Sequence, residues 1–178
     1  MHHFLKIALA GMTAVALGAA AMVLAQGQTP PADGLTPESA REKIVESNRL
    51  WSKARLSFDR AHMEASLSSD FFVQIGDRKM TRQEFIDQCS TQQPNAKLVR
   101  FDVDVLTVQR KREGGWVAVI SEKLEIERTG PDGKTSKVYS LWITRDSYRD
   151  EAGKWLCTSS EASGFEGWQG KKPPFPNW

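Results

Sequence analysis

The chain has 178 residues, 40% of them hydrophobic and 26% charged, with a mean hydropathy of −0.45. Those values exclude a polar disordered tail and a multi-span membrane protein, and the length suits one domain. The formal charge of +2 at pH 7 gives no electrostatic reason to expect nucleic acid or an anionic membrane surface as partner.

Residues 1–25 have the pattern of a secretory signal: Lys6 in a short polar start, an apolar run from Ile7 to Leu24, and the small-residue ending Val23-Leu24-Ala25. Cleavage after Ala25 would place the protein in the periplasm or outside the cell, with no stable membrane insertion. The competing reading is a retained anchor, because about 19 apolar residues can just span a bilayer. Residues 26–36, with Gly27, Pro30, Pro31 and Gly34, have linker chemistry. The folded domain is expected over 37–165, followed by an aromatic, proline-rich tail over 166–178. Cys89 and Cys157 each sit in an apolar pattern, and either a disulfide or two buried thiols fits them.

Thr36-Pro37-Glu38 supplies an N-cap, a proline in the first turn and an acid beside it. Ala40, Ile44, Trp51, Ala54 and Phe58 then recur at roughly helical spacing, which predicts a first amphipathic helix. A second, shorter helix is expected over Asp59–Ser66, and Phe71–Ile75 reads as a strand. Gly76-Asp77 turns the chain. Thr81-Arg82-Gln83-Glu84 is a capping box between Met80 and Phe85, so a third helix should start at Arg82 and run to about Thr91.

From Lys97 the period becomes two. Val99, Phe101, Val103 and Val105 alternate with polar residues, and Leu106 and Val108 continue in the opposite phase, as a β-bulge would require. Further strands are predicted over Trp116–Thr129, Lys137–Arg149 and Lys154–Ser163, separated by short turns, so the four should form an antiparallel meander. Helices followed by long antiparallel strands define an α+β domain, its helices packed on one face of a curved sheet that encloses a concavity.

Particular residues in this order carry a resemblance. Asn48-Arg49-Leu50-Trp51, Ser69-Asp70-Phe71-Phe72, Thr81-Arg82-Gln83-Glu84-Phe85, Ser140-Leu141-Trp142-Ile143 and Gly153-Lys154-Trp155 are similar to segments of the nuclear transport factor 2-like superfamily, which includes the SnoaL-like proteins. More narrowly, they resemble the branch called domain of unknown function 4440. The resemblance implies a cone-shaped α+β barrel, often dimeric through its sheet, with a pocket between sheet and helices. It leaves the use of that pocket open among isomerases, dehydratases, cyclases, ligand binding and protein association. Ser140 stands where relatives often carry an Asp, and neither Tyr139 nor Tyr148 lies on the first helix.

The sequence carries no dinucleotide, phosphate-loop, zinc-protease, redox or nucleophile-elbow motif, and His62 is its only histidine after residue 25. No cofactor and no metal site is therefore expected. Glu122 is the most informative side chain. It interrupts the apolar phase Trp116, Ala118, Ile120, Leu124, Ile126, and a carboxyl buried there should hold its proton to higher pH. The competing reading turns it to solvent through a bulge or into an ion pair.

Glu122 and His62 are the candidate catalytic residues. Trp51, Phe72, Gln74, Tyr139, Trp142 and Glu161 are the candidate ligand-binding ones. The reading that follows is an exported binder of a small apolar molecule. Its rivals are an isomerase, dehydratase or hydrolase using Glu122 or His62 as proton shuttle, and a homodimerising association module.

Overall fold

The computed structural model describes residues 34–174. The expected signal segment, most of the linker and the last four residues of the tail lie outside the described residues.

Helix α1 (Pro37–Ser57) starts at the predicted cap. The Thr36 hydroxyl accepts from the Ser39 amide at 3.2 Å, while the Ser39 hydroxyl accepts from the Thr36 N–H at 2.9 Å. The helix ends where Phe58 enters the left-handed region at φ 56° and its N–H turns back to the Ala54 carbonyl. Asp59 caps α2 (Arg60–Ser66), and β1 (Leu67–Ile75) follows.

The turn at Gly76-Asp77 leads into a short hairpin partner, β2 (Arg78–Thr81), absent from the sequence reading. Helix α3 (Arg82–Ser90) opens on the expected box, with the Glu84 amide donating to the Thr81 hydroxyl at 3.3 Å and the Glu84 carboxylate accepting from the Thr81 N–H at 2.7 Å. Thr81→Ala should lower the unfolding free energy by about 1 kcal/mol. A urea midpoint unchanged from that of the parent would show that the box contributes nothing.

Strands β3 (Ala96–Arg110), β4 (Trp116–Thr129), β5 (Thr135–Glu151) and β6 (Lys154–Gln169) form the antiparallel meander. β6 continues through Gln169, into the segment set apart as a tail. The β3 register shifts between Val105 and Thr107, where the hydrophobic phase slips. The Arg41 guanidinium of α1 covers that irregularity, donating to the Val105 carbonyl at 2.6 Å and the Leu106 carbonyl at 3.5 Å.

β1 adds to the far side of β6 in parallel, so the sheet order is β2-β1-β6-β5-β4-β3. The sheet is curved and open, with β2 and β3 as its edges. The barrel implied by the sequence is therefore not closed.

The three helices cover the inner face. Trp116, Ala118 and Ile120 of β4 meet Ala40 and Ile44 of α1, Met63 of α2 and Ile86 of α3, each at most 1% exposed. Gly115, just before Trp116, has φ +77°, and a Cβ there would stand 2.6 Å from the Tyr148 carbonyl oxygen. This close approach fixes the β3–β4 turn against β5, beside the residues that matter below.

Candidate functional site

Pairing across the sheet determines which side chains face the helices. Glu122 lies opposite Trp142, Ile120 opposite Thr144, Ala118 opposite Asp146 and Trp116 opposite Tyr148. On β6, Cys157 faces Tyr148, Ser160 faces Asp146 and Ala162 faces Thr144. Val73 and Ile75 of β1 pair with Ser160 and Ala162. These residues form one inner wall.

Between this wall and the helices lie two joined chambers that share Trp51, Phe85, Glu122 and Ser160. The inner one, about 40 Å³, is lined further by Asn48, Phe71, Asp146, Tyr148 and Cys157. The outer one, about 160 Å³, reaches past Arg55, Cys89, Phe101, Trp142 and Thr144. Trp51 of α1 and Phe85 of α3 are stacked at 5.8 Å with planes 9° apart, and Phe71 leans on Phe85 at 5.5 Å. These rings make an apolar wall opposite the carboxyls.

The polar side is built around Asp146 and Glu122. Asn48 donates from Nδ2 to the Ile44 carbonyl at 2.9 Å and to the Tyr148 hydroxyl at 3.0 Å. The Tyr148 hydroxyl in turn donates to Asp146 Oδ2 at 3.4 Å, and its ring stacks on Trp155 at 6.2 Å. The other oxygen, Asp146 Oδ1, and Thr144 Oγ1 are buried without a hydrogen-bond partner. Glu122 is half-buried, and the surface it retains lines both chambers; its carboxyl makes no hydrogen bond or ion pair with any described residue.

Burial, aided by the nearby Asp146 charge and opposed by Arg55, pushes Glu122 up to about 8. Burial also lifts Asp146 to about 6, against the pull of the nearby Ser160, Thr144 and Tyr148 hydroxyls, of which Tyr148 alone is aligned as a hydrogen bond. Tyr148 and Cys157 are raised well above their ordinary values by burial and the neighbouring carboxyls. At neutral pH the cavity therefore holds one protonated and one ionised carboxyl. Such a pair can donate a proton at one atom and accept one at another.

Of the predicted site residues, Glu122, Trp51 and Trp142 come together here. The other five do not. His62 lies outside the cone, in an open groove with Glu42, Glu46, Leu50 and Trp155, because α2 turns that side of its helix away from the sheet.

Phe72 and Gln74 alternate with Val73 and Ile75 and so occupy the outer face of β1; Lys79 Nζ sits 3.8 Å above the Phe72 ring. Tyr139 has the parity opposite to Trp142 and lies on the outer face across from Glu125. Glu161 is displaced by an extra residue in β6. Cys157 pairs with Tyr148 but Ser159 with Ser147, so the phase changes and Ser160 turns inward while Glu161 faces out beside Gln74 and Arg145.

Cys89 and Cys157 are both free and buried, and burial raises the Cys89 thiol to about 11. Among the described residues no three His, Cys, Asp or Glu side chains gather as a metal ion would need.

The sequence reading missed Asp146, Tyr148, Thr144 and Asn48. The signal was present on β5, where Trp142, Thr144, Asp146 and Tyr148 share one phase, just as Glu122 shares the apolar phase of β4.

Three helices clasped to one face of a bent, open six-stranded sheet make the nuclear transport factor 2-like fold. Solved structures agree. The chain is similar to a nuclear transport factor 2-like protein of unknown function from Prochlorococcus, at TM-score 0.56 and 13% identity over 72% of this chain and 94% of that one. It is similar also to one of unknown function in nutrient uptake from Rhodospirillum rubrum, at 0.51 and 18% over 67% and 96%. A third, from Cytophaga hutchinsonii, gives 0.50 and 14% over 68% and 95%. At these identities the likeness is one of fold. No family model matches the sequence, so the narrower likeness to domain of unknown function 4440 stays a resemblance, and no curated protein matches it significantly.

Proposed function

We propose that the protein binds a small, largely apolar molecule in the cone, its body against Trp51, Phe85 and Trp142 and its polar end at Glu122 and Asp146. The observation that carries this reading is the pair of joined chambers, with aromatic rings on one side and hydrogen-bonding groups lacking partners on the other. An interior kept that way without a ligand leaves polar atoms desolvated and unpaired, which costs about 1–3 kcal/mol per group.

Ser160 borders both chambers, so Ser160→Leu should fill their junction. In a thermal-shift screen of small aromatic and alicyclic compounds, at least one should raise the melting temperature of the parent protein by several degrees; occupancy at a hundredfold excess over Kd supplies about 2.7 kcal/mol. The variant, checked for folding by circular dichroism, should not respond. Equal responses from both chains would overturn the reading.

One observation favours a second reading, that of an acid–base enzyme of the isomerase or dehydratase kind. Glu122 and Asp146 straddle neutrality in opposite protonation states within one cavity. On that reading Glu122 is the proton donor and Asp146 the acceptor, and His62, outside the cone, takes no part.

A further inference from the structure

Resting on the cavity reading above, we infer that the molecule it takes is a small organic ammonium: a protonated amine on a compact aromatic or alicyclic body. The unfilled groups point to a donor. Asp146 is 7% exposed and its Oδ1 lacks a partner at the inner chamber; Thr144 is 5% exposed and its Oγ1 lacks one at the outer chamber. Glu122 lines both chambers with its carboxyl unpaired among the described residues. Two carboxyls and a hydroxyl present mainly acceptor capacity, which N–H groups satisfy best.

Charge narrows the choice. The cavity holds two carboxyls against one guanidinium, that of Arg55. Arg55 is already engaged, donating to the Cys89 carbonyl at 2.8 Å and lying 5.6 Å from the Phe101 ring centre. With both carboxyls ionised the site would be one positive charge short; at neutral pH the proton on Glu122 makes up the balance, and an ammonium can take that proton's place. A ligand carboxylate would bring a second negative charge, beside Asp146, into a low-dielectric interior. A neutral alcohol would supply a donor but could not take the place of the Glu122 proton.

Size and shape fit as well. A cavity of about 150 Å³ takes one benzene ring, and the outer chamber is of that order at about 160 Å³. The inner chamber, at about 40 Å³, is too small for a second ring and large enough for an ammonium head with a water or two. Trp51 and Trp142 line the outer chamber beside Glu122, and aromatic rings tolerate a neighbouring cation well.

The arrangement also predicts a proton balance. The titratable or charged groups facing the cavity are Glu122 on β4, Asp146 and Tyr148 on β5, Cys157 on β6, Arg55 on α1 and Cys89 on α3. Of these, Glu122 is protonated at pH 7 because burial disfavours its charge. An ammonium beside it restores the carboxylate, so the amine should displace a proton as it binds.

Isothermal titration calorimetry of the whole protein at pH 7 tests this with three probes built on one phenylethyl body: 2-phenylethylamine, 2-phenylethanol and 3-phenylpropionate. The amine should bind at least tenfold more tightly than the alcohol, and the acid should not bind. Titrations in phosphate and in Tris should differ in apparent enthalpy as release of up to about one proton requires. Asp146→Asn should weaken the amine about tenfold and leave the alcohol within twofold.

Binding of the alcohol or the acid as tight as that of the amine would overturn the ammonium and leave the cavity reading standing. Amine binding without proton release, or with the same affinity in Asp146→Asn, would likewise overturn it. No binding by any of the three probes to the folded protein would overturn the ammonium and count against the cavity reading as well.

Discussion

Glu122→Gln should make the protein more stable at alkaline pH while changing little near pH 5. The folded-state pKa of Glu122 is raised from 4.5 to about 8, so between those values the folded chain holds a proton that the unfolded chain has released. Wild-type stability from this group is therefore full below about pH 4.5 and is lost as pH rises toward 8. The whole change is about 5 kcal/mol, from about 1.4 kcal/mol per pKa unit, as an upper figure for a side chain that borders cavities able to hold water.

Glutamine keeps the shape and carries no titrating proton. At pH 8.5 the variant should exceed the parent by about 2–4 kcal/mol in urea unfolding, and at pH 5 the two should agree within about 1 kcal/mol. Asp146, raised to about 6, adds a slope of the same sign at lower pH that both chains share. Parallel stability curves from pH 5 to 9 would show that Glu122 ionises freely in the fold, and with that the account of a desolvated carboxyl fails.

Trp116→Ala should cost still more, about 3–5 kcal/mol at any pH. Trp116 is 1% exposed, the largest of the fully buried side chains, and the Arg110 guanidinium lies 5.4 Å from its ring centre. It sits opposite Tyr148 in the β4–β5 register, so its removal opens a void directly behind the Asn48–Tyr148–Asp146 hydrogen bonds. Trp116→Phe, which refills much of the volume, should recover part of the loss. A denaturation midpoint for Trp116→Ala within about 1 kcal/mol of the parent would mean that this end of the cone collapses without penalty.

Much of the architecture follows from local chemistry that the sequence displays openly. Thr36 and the Thr81–Glu84 box mark two helix starts because capping depends only on neighbours in the chain. The slip at Val105–Leu106 marks a bulge because strand parity is strict. The position of β1 is different. It depends on a strand pairing between distant segments, which no local pattern encodes, and the four-residue β2 is too short to show a period.

The site divides along the same line. Glu122 and Trp142 were legible from parity within their own strands. That same rule sets Tyr139, expected in the site beside Trp142, on the opposite face, since residues 139 and 142 of a regular strand face opposite ways. Glu161 was lost because the extra residue in β6 has no hydrophobic signature among the small residues Thr158, Ser159 and Ser160. Asp146 was hidden by its neighbours: between Arg145 and Ser147 it resembles an exposed polar stretch until the phase of Trp142 and Tyr148 is followed through it.

The parallel seam between β1 and β6 bears on how the chain comes to be folded. Gln74 and Glu161 are partners across 87 positions of sequence, and Asn48 reaches Tyr148 across 100. Closing such long loops is entropically slow, whereas the meander zips through short turns. During synthesis the helices can settle on β3 and β4 as these emerge, but the first hairpin has no parallel partner until the final strand leaves the ribosome. The hollow is then the last thing to take shape, and a C-terminal truncation within β6 would leave a nascent chain prone to clumping rather than a smaller working version of the domain.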